Sequence, residues 1–322
     1  MVSYKSAIKN TNAYKTIIKD KEKNRLSHTY LLISEDMDYV KEFAKMVAQI
    51  FLDEKQDSSG SLKIEKDIHP DVLIYGAEEK INTGVVSAIA SDVFVRPYES
   101  DKKVYILLNM NDANDESQNK LLKTIEEPPK NVMFILGSKT ERKLLKTVLS
   151  RSKKLELDLL DNKTIYEMLK SCGLKEKECE ICSSCSGGVF SRAYRMAMDK
   201  EFISMYQNIF KCLYKMNSSR DVLFFASEFA NKNVQKEEFS DLFMLIVRDI
   251  CMVKAGKKEL ASNTHKIDEL NLIAEQFSFQ ALYKIIEYCL QFKEDLVYNT
   301  NINMAIDEFL LHVVEVKVKC KM

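Results

Sequence analysis

A five-residue apolar run, Val104-Tyr-Ile-Leu-Leu108, is followed by a helix-patterned stretch and a second run, Val132-Met-Phe-Ile-Leu136. Short apolar runs of this kind fit strands buried on both faces, as in a parallel sheet. Between them Leu121, Leu122 and Ile125 recur at helical spacing, and Pro128-Pro129 stops the helix. Asp115, with Gln118 three residues on, reads as a capping box that opens it. Parallel strands need a crossover of a dozen or so residues, and a helix over 115–127 supplies one. This block commits the chain to an α/β core.

The same alternation runs through the first half. Strands are predicted over 30–33, 72–75, 104–108, 132–136 and around Leu155 and Leu157, and helices over 40–52, 85–95 and 144–149. Five strands with helical crossovers make a parallel sheet with helices on both faces. The polar segment 53–67 reads as a mobile loop. After Asp161 the strand pattern stops. Helices over 164–170, 177–186 and 191–199 surround Gly187-Gly188, and long amphipathic stretches follow at 239–253 and 279–297. A last helix over 303–316 takes an Asn cap and sets Ile306, Phe309, Leu310 and Val313 on one face. The expected division is an α/β domain over 1–158, a small helical domain over 159–200 and a larger one over 201–322.

Lys plus Arg and Asp plus Glu both number 48, so the net charge of this 322-residue chain is zero. A protein that meets nucleic acid through its overall field carries a basic excess, so DNA contact would need a local patch or an assembly. The start, MVSYKSAIKN, lacks the apolar core of a signal peptide, and no segment has the length of a membrane span. The eight cysteines lie in helix-like sequence and read as reduced thiols. A cytoplasmic protein is expected.

A phosphate-binding turn would belong between the first strand and its helix. Such a turn needs glycines for close backbone approach and a Lys aimed at the phosphates. Here it is Ser34-Glu-Asp-Met-Asp-Tyr-Val-Lys41, with no glycine before Gly60. Glu35, Asp36 and Asp38 would face the anion, and Val40 takes the Lys position. Lys41, one residue on, is rotated about 100° away. The turn, at Ser34, Met37 and Val40, is degenerate, and no nucleotide is expected to bind.

His69-Pro-Asp71, Arg96-Pro97, Asn119-Lys-Leu-Leu-Lys123, Glu126-Glu-Pro-Pro129 and Ser150-Arg151-Ser152 follow one another in an order that resembles the clamp-loader AAA+ proteins. Their details are similar to the delta prime family of bacterial DNA polymerase III subunits. Ser27-His28-Thr-Tyr-Leu-Leu32, Gly187-Gly188 to Ala193 and Asn301-Ile-Asn303 extend the likeness over nearly the whole chain. The resemblance implies an AAA+ fold with a five-stranded parallel sheet, an all-α lid at 159–200 and an all-α collar domain at 201–322 that packs into a ring. Counting back from Asn119, it sets Leu108 and Asn109 where active AAA+ ATPases carry an Asp–Glu pair for magnesium and water. Neither residue is an anionic metal ligand or a base. It sets Ser191, with Arg192 beside it, at a sensor-arginine position. Ser150 and Arg151 fall on the motif that presents an arginine finger to a neighbouring subunit, where a planar permanent charge meets the transferring phosphoryl group. Ser152 stands in place of the family's Cys.

The implied function is a non-catalytic subunit of the DNA polymerase III clamp loader. It would act as stator and supply Arg151 in trans while the sliding clamp is loaded at primed DNA. Its implied partners are the gamma/tau ATPase subunits and delta, and it needs no cofactor of its own. The family's four-cysteine zinc module has no counterpart, because 53–68 contains no Cys. Cys172, Cys179, Cys182 and Cys185 lie later, at helical spacing that fits packing, with a metal or cluster site as the alternative. Lys120 and Lys123 would touch DNA phosphate or a neighbouring subunit, or form a solvated face. Arg151 read in isolation would be a surface salt-bridge residue. The rival functions are an autonomous ATPase with an unusual nucleotide site and a cysteine-cluster redox protein.

Overall fold

The computed structural model describes residues 4–319 except 56, 231–235 and 298–300. The chain divides into two compact units, Met1–Thr164 with Gly188–Ser191, and Ile165–Gly187 with Arg192–Met322.

The first unit is a five-stranded parallel sheet in the order β2-β3-β4-β1-β5, formed by β1 (Thr29–Ile33), β2 (Val72–Tyr75), β3 (Lys103–Leu107), β4 (Val132–Ser138) and β5 (Lys153–Glu156). The three interior strands are the most buried, β3 and β4 along their whole length and β1 at all but its last residue. Tyr105 on β3 stacks on Phe134 of β4, its register partner, with ring centroids 5.2 Å apart. Its helices are α1 (Lys5–Asn10) and α2 (Asn12–Glu22) before the first strand, and the crossovers α3 (Met37–Phe51), α4 (Ser59–Glu65), α5 (Thr83–Asp92), α6 (Asp115–Glu126) and α7 (Lys146–Arg151). One core of Leu31, Val86, Ile89, Leu107, Leu121, Phe134, Leu136 and Val148 joins sheet to helices.

Several local readings are corrected. The cap of α6 is Asn114, whose side chain accepts from the Ser117 amide at 2.9 Å, and not an Asp115–Gln118 box. Gln118 is fully buried instead; its amide donates to the Ala113 and Lys143 carbonyls and accepts from Leu145 N, tying α6 to the chain before α7. The expected mobile loop over 53–67 contains α4, because Ser58 caps it through the Ser61 amide and Ile64 is buried. Helix α5 stops at Asp92, leaving Phe94 and Val95 exposed. Helix α7 runs to Arg151, so Ser150 and Arg151 are its last turn and do not follow it.

The rest of the chain is helical: α8 (Asn162–Ser171), α9 (Glu176–Cys185), α10 (Phe190–Met198), α11 (Lys200–Lys215), α12 (Ser219–Ala230), α13 (Lys236–Lys254), α14 (Ile267–Ala274), α15 (Phe279–Val297) and α16 (Ile302–Lys319). Phe239 and Phe243 of α13 pack with Phe292 of α15 and Phe309 of α16, centroids 4.9–5.8 Å apart where adjacent. Asn301, two residues before the expected position, caps the last helix through the Asn303 amide. A buried polar chain holds α9 to the larger helices. Asp249 accepts from the Ser262 and Asn263 amides and from the Asn263 side chain, and Asn263 Oδ1 accepts from Tyr206 and Ser184 hydroxyls. Among the described residues no helix is long and apolar enough to cross a membrane.

Candidate functional site

Open parallel sheets bind ligands beyond the carboxyl ends of their strands, where neighbouring strands send their connections in opposite directions. That point lies between β1 and β4: β1 leads through α3 toward β2 at one edge, and β4 through α7 to β5 at the other. Ser34 follows β1, Gly137 and Ser138 close β4, and Leu108 follows β3. Apolar side chains fill the crevice. Val40 is fully buried and Leu108 is 3% exposed. A Cβ on Gly137 would lie 2.7 Å from Val40 Cγ1, 3.1 Å from Leu108 Cδ2 and 3.2 Å from Met37 Cε. Three positions flagged as lost ATP-site residues therefore meet around one glycine. Asn109 sits in the left-handed region at φ 54° and donates its side-chain amide to the Gly76 carbonyl at 2.8 Å, so it shapes the turn after β3.

The N-terminus of α3 is occupied from within. Asp36, 2% exposed, caps the helix by accepting from the Tyr39 amide at 3.2 Å. Its other oxygen accepts from the Ser191 amide at 3.1 Å, and the Tyr4 hydroxyl lies 3.4–3.5 Å from both. Ser34 Oγ accepts from the Asp36 amide at 3.3 Å. The Tyr4 ring stacks on Tyr39 at 5.5 Å and meets Phe190 edge-on at 5.4 Å. Burial, and then the charge of Asp36, holds the Tyr4 hydroxyl far above its ordinary range, so it stays a neutral donor. Burial likewise pushes Tyr39 up to about 12. Lys41 reaches Asp67 at 2.6 Å instead of the helix end. Gly188, at φ +86°, brings the chain into this corner: a Cβ there would lie 2.7 Å from Leu159 Cβ.

Arg151 has the opposite setting. Its Nη1 donates to the Thr147 carbonyl at 3.1 Å and to Ser150 Oγ at 3.3 Å, and Nε lies 2.5 Å from Glu126 Oε1. Both side chains are well exposed, 37% for Arg151 and 42% for Glu126. Ser150, Arg151, Glu126 and Pro128 share the wall of a shallow pocket of about 530 Å³ with Ser27, His28 and Thr29. Three motifs separated in sequence thus converge on one exposed edge. Lys120 is exposed, with its ammonium on Ser87 Oγ and the Thr83 carbonyl, and Lys123 is exposed on the same helix.

Two other conspicuous motifs have structural work. His69 Nδ1 accepts from the Asp71 amide at 3.1 Å, and buried Asp71 accepts from the amides of Tyr98, Glu99 and Ser100 at 2.5–2.8 Å. Burial opposes its ionisation, but the three N–H groups outweigh that and hold its carboxyl below the usual range. Cys179 and Cys182 are buried on α9, and burial raises their thiols, Cys182 to about 12 and Cys185 further. A raised thiol is a poor metal ligand and nucleophile. Among the described residues no group of three or more His, Cys, Asp or Glu side chains is placed to hold a metal ion. Sequence reasoning gave Tyr4 no role and named Glu126 only within its Glu-Glu-Pro-Pro motif, not as the partner of Arg151. Asp36, expected to face an anion, instead turns inward as the cap of α3.

A family model described as DNA polymerase III, delta subunit, matches residues 9–161, and one described as delta subunit, C terminal, matches 200–313. The DNA polymerase III subunit delta' of Bacillus subtilis is 23% identical over 306 residues, covering 91% of this chain and 93% of that one. The subunit gamma of Buchnera aphidicola subsp. Schizaphis graminum is 23% identical over 282 residues, covering 78% and 77%. A solved DNA polymerase III gamma subunit-related protein of Thermotoga maritima aligns with a TM-score of 0.42 and 17% identity, over 94% of this chain and 99% of that one. The two family models together take in the parallel sheet and most of the C-terminal helices, and the chain belongs to the DNA polymerase III clamp-loader subunit family.

Proposed function

We propose that this chain is a delta prime-like stator of the clamp loader, which binds and hydrolyses no nucleotide itself. The observation that carries this reading is the packing of Val40, Leu108 and Met37 around Gly137, with Asp36 seated on the end of α3. A γ-phosphate and its magnesium need oxygen ligands, a cation and exposed amides at that point. Hydrocarbon supplies none of these, and the Asp36 carboxylate is already engaged by the Tyr39 and Ser191 amides. The exposed edge supports the second half of the proposal: Arg151, held by Ser150 and Glu126, is presented to the ATP site of a neighbouring gamma/tau subunit as an arginine finger. Delta is the other partner, and the sliding clamp at primed DNA is the object of the assembly. Lys120 and Lys123 serve as contacts to DNA or a subunit. The AAA+ part over 1–158, the lid over 159–200 and the collar over 201–322 are its working divisions, and its place is the cytoplasm.

Equilibrium titration of the purified chain with a fluorescent ATP analogue tests the first half. No saturable binding is expected, and micromolar affinity would restore the autonomous ATPase. For the second half, DNA- and clamp-stimulated ATP turnover of the reconstituted complex is compared with wild-type or Arg151→Ala subunit at matched assembly. Arginine fingers contribute about 10³-fold or more to one site. The drop in the whole complex is smaller, because only one of several sites loses its finger. Unchanged turnover and clamp loading would reduce Arg151 to a surface residue.

A further inference from the structure

We propose that Asp36 is a built-in anion, a clasp whose carboxylate takes the place of a bound polyphosphate and joins the first turns of α3 and α10. The first turn of any helix carries N–H groups without intrahelical partners and the positive end of the dipole, and it attracts anions. Two such ends converge here on one side chain. Asp36 Oδ1 takes the Tyr39 amide of α3, and Oδ2 takes the Ser191 amide of α10, which begins at Phe190. Tyr4 adds its hydroxyl to both oxygens. A buried carboxylate is tolerated only when charge and donors satisfy it, and this one has donors from three separate segments.

The arrangement excludes an external anion in two ways. A phosphate approaching the same amides would meet the Asp36 charge in a water-poor pocket, where like charges repel strongly. The Tyr4 ring, packed between Tyr39 and Phe190, stands beside the same amides and would have to move. The site that binds nothing is therefore one already filled by its own ligand. The clasp rests on the reading that this chain binds no ATP and adds what replaces it.

The test uses the full chain, with inorganic tripolyphosphate as probe and sodium chloride at matched ionic strength as control. Wild-type thermal unfolding should be the same in both salts. Asp36→Ala frees the two amides and should gain saturable, millimolar stabilisation by tripolyphosphate. In case that variant does not fold, Asp36→Asn decides by hydrogen exchange. Its amide has one acceptor oxygen for donors that face two, so Tyr39 or Ser191 should exchange about tenfold faster, the equivalent of one hydrogen bond. A folded Asp36→Ala indifferent to tripolyphosphate, or Asn-variant amides exchanging at the wild-type rate, would overturn the clasp alone. Wild-type protein stabilised by ATP or by tripolyphosphate would overturn the clasp, and in the ATP case the non-nucleotide reading with it.

Discussion

The crevice between β1 and β4 and the Arg151 edge belong to one compact unit and differ in every physical respect. In the crevice Val40, Leu108 and Met37 are packed against Gly137, and the Asp36 carboxylate is satisfied from within. At the edge a guanidinium and a carboxylate, Arg151 and Glu126, stand exposed beside a shallow pocket. Burying hydrocarbon where chemistry would need water and charge makes the crevice a piece of core. Leaving charge in solvent at a helix end costs the edge little and keeps it free to meet another surface. Glu126, the last residue of α6, lies against the negative end of its own helix dipole, and Arg151 offsets that unfavourable placement. The comparison teaches that two regions of one unit can be opposite in character, one sealed as core and the other left as exposed charge, because they are built from different elements.

The largest effect should come from placing an acid in the crevice. Leu108→Asp puts an unpaired charge into a packed core and should cost about 3–5 kcal/mol, read by urea denaturation. A loss under about 1 kcal/mol would mean that water reaches this point, and the contrast between crevice and edge would collapse. Second, Asp71→Asn should cost about 1.5–3 kcal/mol, since it removes a charged acceptor from three amides. Because the folded carboxyl is held below its ordinary range, its contribution is complete above about pH 4, the unfolded value, and is lost as pH falls through the lower folded value. The gap between wild type and Asp71→Asn should therefore narrow in acid; a gap that widens below pH 4 would contradict the amide cradle.

Third, Gly137→Ala should destabilise by about 1–3 kcal/mol through overpacking, and Val40→Ala in the same chain should recover part of it. Strict additivity of the two changes in a denaturation cycle would show that these residues do not share the crevice. The smallest effect is expected at the edge. Arg151→Ala should shift stability by less than about 0.5 kcal/mol, because its ion pair is solvated. A loss of several kcal/mol would make Arg151 a structural residue and erase the distinction between the two regions.

The sheet was legible in the chain because a buried parallel strand is an uninterrupted apolar run, and Val104–Leu108 and Val132–Leu136 stand out as such. Helix ends were less legible. Asn114 and Asn301 cap where neighbouring residues were read as caps, since several polar side chains in a row meet the same local rule. The segment over 53–67 concealed α4 because a short helix with one buried apolar residue, Ile64, has little periodicity to display.

By itself the sequence determined the alternation of strands and helices, the all-helical second part and the missing glycines and lysine of the phosphate turn. These are properties of composition and spacing within a few turns of chain. Only the tertiary structure decided what packs beyond the ends of β1, β3 and β4. Tyr4 reaches Asp36 across 32 positions, Ser191 reaches the same carboxylate across 155, and Glu126 meets Arg151 from another helix. No periodicity encodes such meetings, because they depend on how β1, β4 and their crossings bring distant segments to one end of the sheet. What a turn lacks can be read along the chain; what fills the space around it is decided by packing.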